Sequence, residues 1–237
     1  MNRLIRADLK RITAKPGVYG FVILLVLAIM FCKPDETAAL QLEYYKLLLN
    51  DIGLTLICIP IYLSVYSDEI KSGIMVSVIG MGMERKKIVL SKLKDALFLL
   101  FGAYMVLFLA TLIKNYTIDM VITPRQNLMI FAFCLICIMR GLGIIALSSL
   151  VLFLTMSASG GMLILIITGL CASILLKGIQ EYTTIPFYDY SYIGLLDRTF
   201  AEISSGSFKG SIIPAFIYLA AVIIMNIMIF DRKEMDL

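Results

Sequence analysis

Residues Ser67–Leu97 read SDEIKSGIMVSVIGMGMERKKIVLSKLKDAL. Apolar runs of lipid-spanning length lie on both sides of this basic stretch, so its reading sets the layout of the whole chain. Charge packed between two such runs marks a loop outside the hydrocarbon, and a basic loop stays on the cytoplasmic side. Two meanings are open. One is a solvated loop that only sets topology. The other is a docking surface. As a helix, Ile74, Val78 and Ile79 share a small apolar face between charges, which suits a groove on a soluble partner. Gly80-Met81-Gly82 then permits a sharp change of direction.

Composition points the same way. The chain has 237 residues, 60% hydrophobic and 16% charged, with mean hydropathy +0.94. Soluble domains carry about 25% charged residues, so most of this surface must face something other than water. A run of about 20 apolar residues crosses a bilayer core. A β-barrel would instead show short segments of alternating polarity. The fold class expected is an all-α polytopic membrane protein. Spans are expected at about 17–32, 47–66, 96–113, 128–155, 162–176 and 211–230, and Pro60 is expected to kink the second. Residues 1–16 read as an amphipathic elbow helix in the membrane interface, with Arg3, Arg6, Lys10 and Arg11 on its basic face. Residues 67–95 form the basic loop and residues 177–210 the long segment at the other end.

Six spans place both termini on one side. Thirteen basic residues, those of the basic loop among them, lie on that side and cluster beside span ends, against seven on the other. Both termini are therefore expected in the cytoplasm.

Several kinds of chemistry are excluded. Histidine is absent, which removes ordinary zinc sites and histidine bases. Cys32, Cys58, Cys134, Cys137 and Cys171 all lie in or beside apolar runs and read as packing residues. No G-x-x-x-x-G-K-[ST] loop is present, so the chain does not hold ATP by that route. Asp51, Asp95 and Asp231 are expected at span ends, near water, which leaves no intramembrane acid for catalysis. No metal, bound cofactor or nucleic-acid partner is expected. The hydroxyls of Ser148, Ser149 and Thr155 are expected to bond back to the preceding turn.

Arg140 is the one charge expected well inside a span, where an isolated charge costs several kcal/mol. Two readings stay open. It faces a substrate cavity or dimer seam, with Gly141 and Gly143 allowing close helix contact, or it reaches back to the headgroups. The tyrosines at 182, 188, 190 and 192 read as an aromatic belt, with a substrate-recognition lid as the alternative.

The basic loop also resembles a known pattern. Membrane subunits of type-2 ABC transporters carry E-x-x-x-G-T after the second span, then an apolar run, P-x-S-R, and a lysine that opens the third span. Glu69, Gly73, the run to Ile79, Arg85 and Lys92 follow it without gaps, while Ile74, Gly82 and Glu84 depart from it. The layout of elbow, six spans and long outer segment is similar as well. The resemblance implies a type-2 ABC exporter transmembrane fold whose coupling helix (Glu69, Gly73, Ile74, Val78, Ile79, Gly82 and Arg85) inserts into a separate ATPase subunit. It also implies two copies of that ATPase, which carry the ATP and magnesium, and pairing with a second copy of the chain or a similar permease. The substrate implied is hydrophobic or amphipathic, such as a peptide toxin, bacteriocin or antibiotic. Alternatives are extrusion of sodium or small drugs, or a non-transporting membrane scaffold or sensor. The chain itself is not expected to be an enzyme.

Overall fold

The computed structural model describes residues 16–31, 45–46, 48–71, 79–80, 82–117, 123–183, 185–207 and 209–232. Arg3, Arg6, Lys10 and Arg11 of the expected elbow helix, and Gly73, Ile74 and Val78 of the basic loop, lie outside the described residues. Among the described residues all regular structure is helical. Helix α1 covers Pro16–Phe31. Helix α2 begins as Asp51–Tyr62, passes through a π turn at Leu63–Ser67 and continues as Asp68–Lys71. Pro60 lies just before that turn, where its missing N–H already breaks the regular ladder. Helices α3 (Arg85–Thr117) and α4 (Pro124–Thr155) follow. Helix α5 runs over Ala158–Thr183 with its own π turn at Ile167–Cys171. The short α6 (Phe187–Tyr190), α7 (Tyr192–Ser205) and α8 (Ile212–Arg232) complete the chain.

Helices α2, α3, α4, α5 and α8 are long and apolar enough to cross a membrane, and α1 is a shorter apolar helix. The protein is a multi-pass helical membrane protein. We call the end holding the α2–α3 loop, the α4–α5 turn and the C-terminus of α8 proximal, and the other end distal. Lys94 and Lys114 of α3 bracket its apolar stretch. The twenty steps from one to the other rise about 30 Å, the thickness of a hydrocarbon core.

Helix α4 is the central post, packed against α2, α3, α5, α7 and α8. The most apolar windows of α2 and α4 are 67% buried, against 17% for α5 and α8, which stand at the lipid-facing edge. Helix α8 runs parallel to α4: Asn226 bonds to Ala146 and Ser149, and Phe230 packs on Phe153 further down. Helix α7 runs antiparallel to α4. The Tyr192 hydroxyl donates to the Met139 carbonyl, Phe200 meets Phe133 edge-on, and Arg125 donates to the Ser204 carbonyl. The chain between α5 and α8 therefore dips back along α4 before climbing out. Such a re-entrant segment is tolerated at membrane depth because protein covers its backbone. Ser191 caps its N-terminus by accepting from the Gly194 N–H.

Two helices start earlier than hydropathy indicates. Helix α4 begins at Pro124 behind a capping box, in which the Thr123 hydroxyl accepts from the Gln126 N–H and the Gln126 side chain accepts from the Thr123 N–H. Helix α3 begins at Arg85, and Ile88, Val89 and Leu93 of its first turns are buried. The expected back-bonds of Ser148, Ser149 and Thr155 are present, to Ile144, Ala146 and Val151.

Gly143 sets the depth at which α7 docks. A Cβ there would lie 2.2 Å from the Tyr192 ring, so a side chain must push α7 off α4. Gly143→Leu is expected to destabilise the protein by about 1–3 kcal/mol, seen as a drop of several degrees in the unfolding midpoint in detergent. Gly102 faces open space, and Gly102→Ala should leave the midpoint unchanged or raise it slightly.

Candidate functional site

The candidate site is the pair of polar clusters that fasten α2 at its two ends. At the proximal end Glu69, in the last turn of α2, accepts from Lys92 of α3 at 2.5 Å, and both side chains are buried. Asp95 lies one turn beyond Lys92 and is fully buried. This corrects the expectation that it sits near water: the first turns of α3 are wrapped by neighbouring helices and do not project from the bundle. Deeper in, Asn226 of α8 donates to the Ala146 carbonyl at 2.9 Å and accepts from Ser149 at 3.0 Å. Interhelical bonds of this kind join helices where lipid supplies no hydrophobic drive.

The described part of the basic loop is tied to the same cluster. Ile79 packs against the core. Gly82 turns the chain with φ of 83° and donates its N–H to the Ile79 carbonyl at 2.9 Å. A proline ring fixes φ near −65°, so the proline usual at this point of the resembling pattern has no place in this turn. Arg85 donates to the carbonyls of Phe230 and Asp231 at 3.1 and 2.9 Å, a cation on the open C-terminal end of α8. Thus Glu69, Ile79 and Arg85 connect the loop to α2, α3 and α8 of its own chain. Lys114 plays the corresponding part at the distal end, donating to the Met30 carbonyl at the end of α1.

At the distal end Arg140 of α4 is 2% exposed. Its guanidinium donates to Asn50 at 2.6 Å and to Asp51 at 2.5 Å, both at the start of α2. Asp197 of α7 stands 3.8 Å away and accepts from the Tyr188 hydroxyl. Asp51 and Asp197 are each part-exposed while Arg140 is not, so the carboxylates keep contact with the polar phase and bring counter-charge down to the guanidinium. Arg140 to Thr155 is fifteen residues, about 22 Å of helix, which sets the charge in the distal part of the core. Gly141 lies against Leu54, Cys58 and Leu100, and Gly143 against Tyr192, so both glycines serve contacts within this chain. Of the four tyrosines, Tyr182 and Tyr190 face outward, whereas Tyr188 and Tyr192 bond inward to Asp197 and Met139.

Sequence reasoning missed the partners and not the charges. Asp51 and Glu69 are eighteen residues apart in α2, about 27 Å of helix, so one acid stands near each face of a bilayer. Asn226, the asparagine inside IIMNIMIF, was a visible signal of a helix-to-helix bond. Asp197 had no local signal, because only the re-entrant course of α7 brings it to Arg140. Cys58, Cys134 and Cys137 are free and buried, consistent with packing. No group of histidine, cysteine and acidic residues among the described residues is arranged to hold a metal ion.

Glu202 secures the joint between α7 and α8. Its carboxylate accepts from the Ser211 hydroxyl and from the N–H groups of Lys209, Gly210 and Ser211. The Ser211 bond, followed by the backbone donors, holds its pKa below the ordinary 4.5. A lowered carboxyl stabilises the fold above its unfolded pKa and loses that contribution as pH falls through the folded one. The α7–α8 joint should therefore loosen below pH 4.5, read by hydrogen exchange at residues 205–212, and Glu202→Gln should flatten that dependence. At the proximal end, Lys92→Met leaves Glu69 a buried charge without its lysine and should cost about 3–5 kcal/mol. The double variant Glu69→Gln/Lys92→Met should recover most of that loss in thermal unfolding, as buried pairs replaced together usually do.

No family model matches the chain, and no curated protein and no solved structure matches it.

Proposed function

We propose that the chain is the permease subunit of an ATP-driven exporter, as its resemblance to type-2 ABC membrane subunits implies. In this reading the proximal end faces the bacterial cytoplasm, and the loop after α2 docks into a separate ATPase subunit. Two membrane subunits pair above two ATPase subunits, which carry the ATP and magnesium. The cargo is hydrophobic or amphipathic, because the apolar spans offer no continuous polar path.

The observation that carries the reading is the attachment of the loop. Glu69 enters it from α2 locked to α3, and Arg85 leaves it holding the end of α8. A force applied to the loop is passed at once to three helices. A loop that only set topology would need neither attachment. Coupling of this kind is a shift between two packings biased by a partner.

Purification with an ATPase subunit encoded beside the gene provides the test. The complex should hydrolyse ATP faster when hydrophobic peptides or drugs are added. Deleting residues 74–78, which spares Ile79 and its core contact, should abolish that stimulation and weaken the association, while thermal unfolding shows the bundle intact. Unchanged association and stimulation after the deletion would refute the coupling role. Glu69→Ala is the poorer probe, since it also breaks the lock to Lys92.

A further inference from the structure

Helices α4, α7 and α8 leave an apolar slot on the lipid-facing side of the bundle. Gly143 and Leu147 form one wall, Tyr218, Leu219 and Val222 the other, and the Tyr192 ring lies beside them, leaving a half-open slot of about 240 Å³. The glycine is what opens the slot: any side chain at Gly143 would meet Tyr192. The Tyr192 ring is held in place, because its hydroxyl is bonded to the Met139 carbonyl at 2.6 Å. Leu147 and Tyr218 are partly exposed at the mouth.

Depth identifies the occupant. Leu147 lies eight residues from the proximal end of α4 and Tyr218 fourteen from that of α8, which places the slot about 12–21 Å into a core of about 30 Å. At that level neither water nor a soluble protein reaches it, and hydrocarbon does. The slot runs between the parallel helices α4 and α8, the direction in which lipid chains also run. An apolar cavity of about 150 Å³ already stays dry and takes up benzene, so this larger one has room for a length of aliphatic chain.

We propose that the slot binds one aliphatic chain of an amphipath that enters sideways from the bilayer. As a chain-binding site it stands without ATP. As the entry site for cargo it rests on the export reading, and it narrows the cargo to amphipaths with a flexible hydrocarbon chain. Because Tyr192 belongs to the helix that carries Asp197, a chain in the slot presses on the element that also faces Arg140.

The full chain in phosphatidylcholine vesicles, doped with phosphatidylcholine bearing a diazirine in mid-chain, tests this by photolysis and peptide mass spectrometry. Adducts should collect on Leu147, Tyr218 and Val222 several-fold above those on Phe98, Phe101 and Leu109, exposed residues on α3. Leu147→Phe and Val222→Phe, which fill the slot from opposite walls, should each remove the excess and leave the α3 adducts unchanged. Even labelling of both faces overturns the proposal. So does ready disulfide formation between two copies of Tyr218→Cys, which would show a second copy covering the slot. If the excess appears but chain-bearing amphipaths leave ATP hydrolysis by the partner complex unchanged, the chain-binding site stands and its role as the entry site for cargo falls.

Discussion

Charge inside hydrocarbon must bring its counter-charge along, and this fold is arranged around that requirement. Helix α2 carries an acid near each end, Asp51 and Glu69, and each takes a basic side chain from a different neighbour, Arg140 of α4 and Lys92 of α3. The two pairs stand about one bilayer apart along the helix. They fix the depth of α2 in the membrane and its register against the two helices that enclose it. Hydrophobic burial cannot do this, because lipid tails and leucine side chains are equally apolar and leave a helix free to slide.

Secondary fastenings follow from the same scarcity of polar partners. Open helix ends receive cations from elsewhere in the chain, Lys114 on α1 and Arg85 on α8. Asn226 joins α8 to α4. The re-entrant α7 is held by Tyr192 at its deep end and Glu202 at its outer end, with Asp197 beside Arg140 between them. A push on the loop between α2 and α3 and a chain pressing on Tyr192 would thus act on opposite ends of one polar framework, with α2 and α4 between them.

Much of this was legible in the residues, and the limits have causes. The helical membrane class and the approximate places of the apolar segments follow from composition, because hydrocarbon tolerates few alternatives to helix. Helix ends were less legible from hydropathy, which reports lipid contact and not helix length. The start of α4 was nevertheless written in Thr123-Pro124-Arg125-Gln126, a capping box that a window of apolar residues overlooks. Arg140 stood out, but its partners did not. Asp51 belongs to another helix, and Asp197 reaches it only because α7 turns back. Asp95 follows Lys92 and Lys94 at the edge of the third apolar run, which reads as a wet end, whereas the start of α3 is covered by other helices.

Charge exchange at the distal pair tests most directly whether counter-charge fixes α2. Arg140→Asp and Asp51→Arg should each lower the unfolding midpoint of the detergent-solubilised protein sharply. The combined variant should regain most of the loss, since it restores one positive and one negative group at the same depth. If both single variants unfold at the parental temperature, or the exchange recovers nothing beyond the sum of the two, the pair does not hold the bundle and the account is wrong.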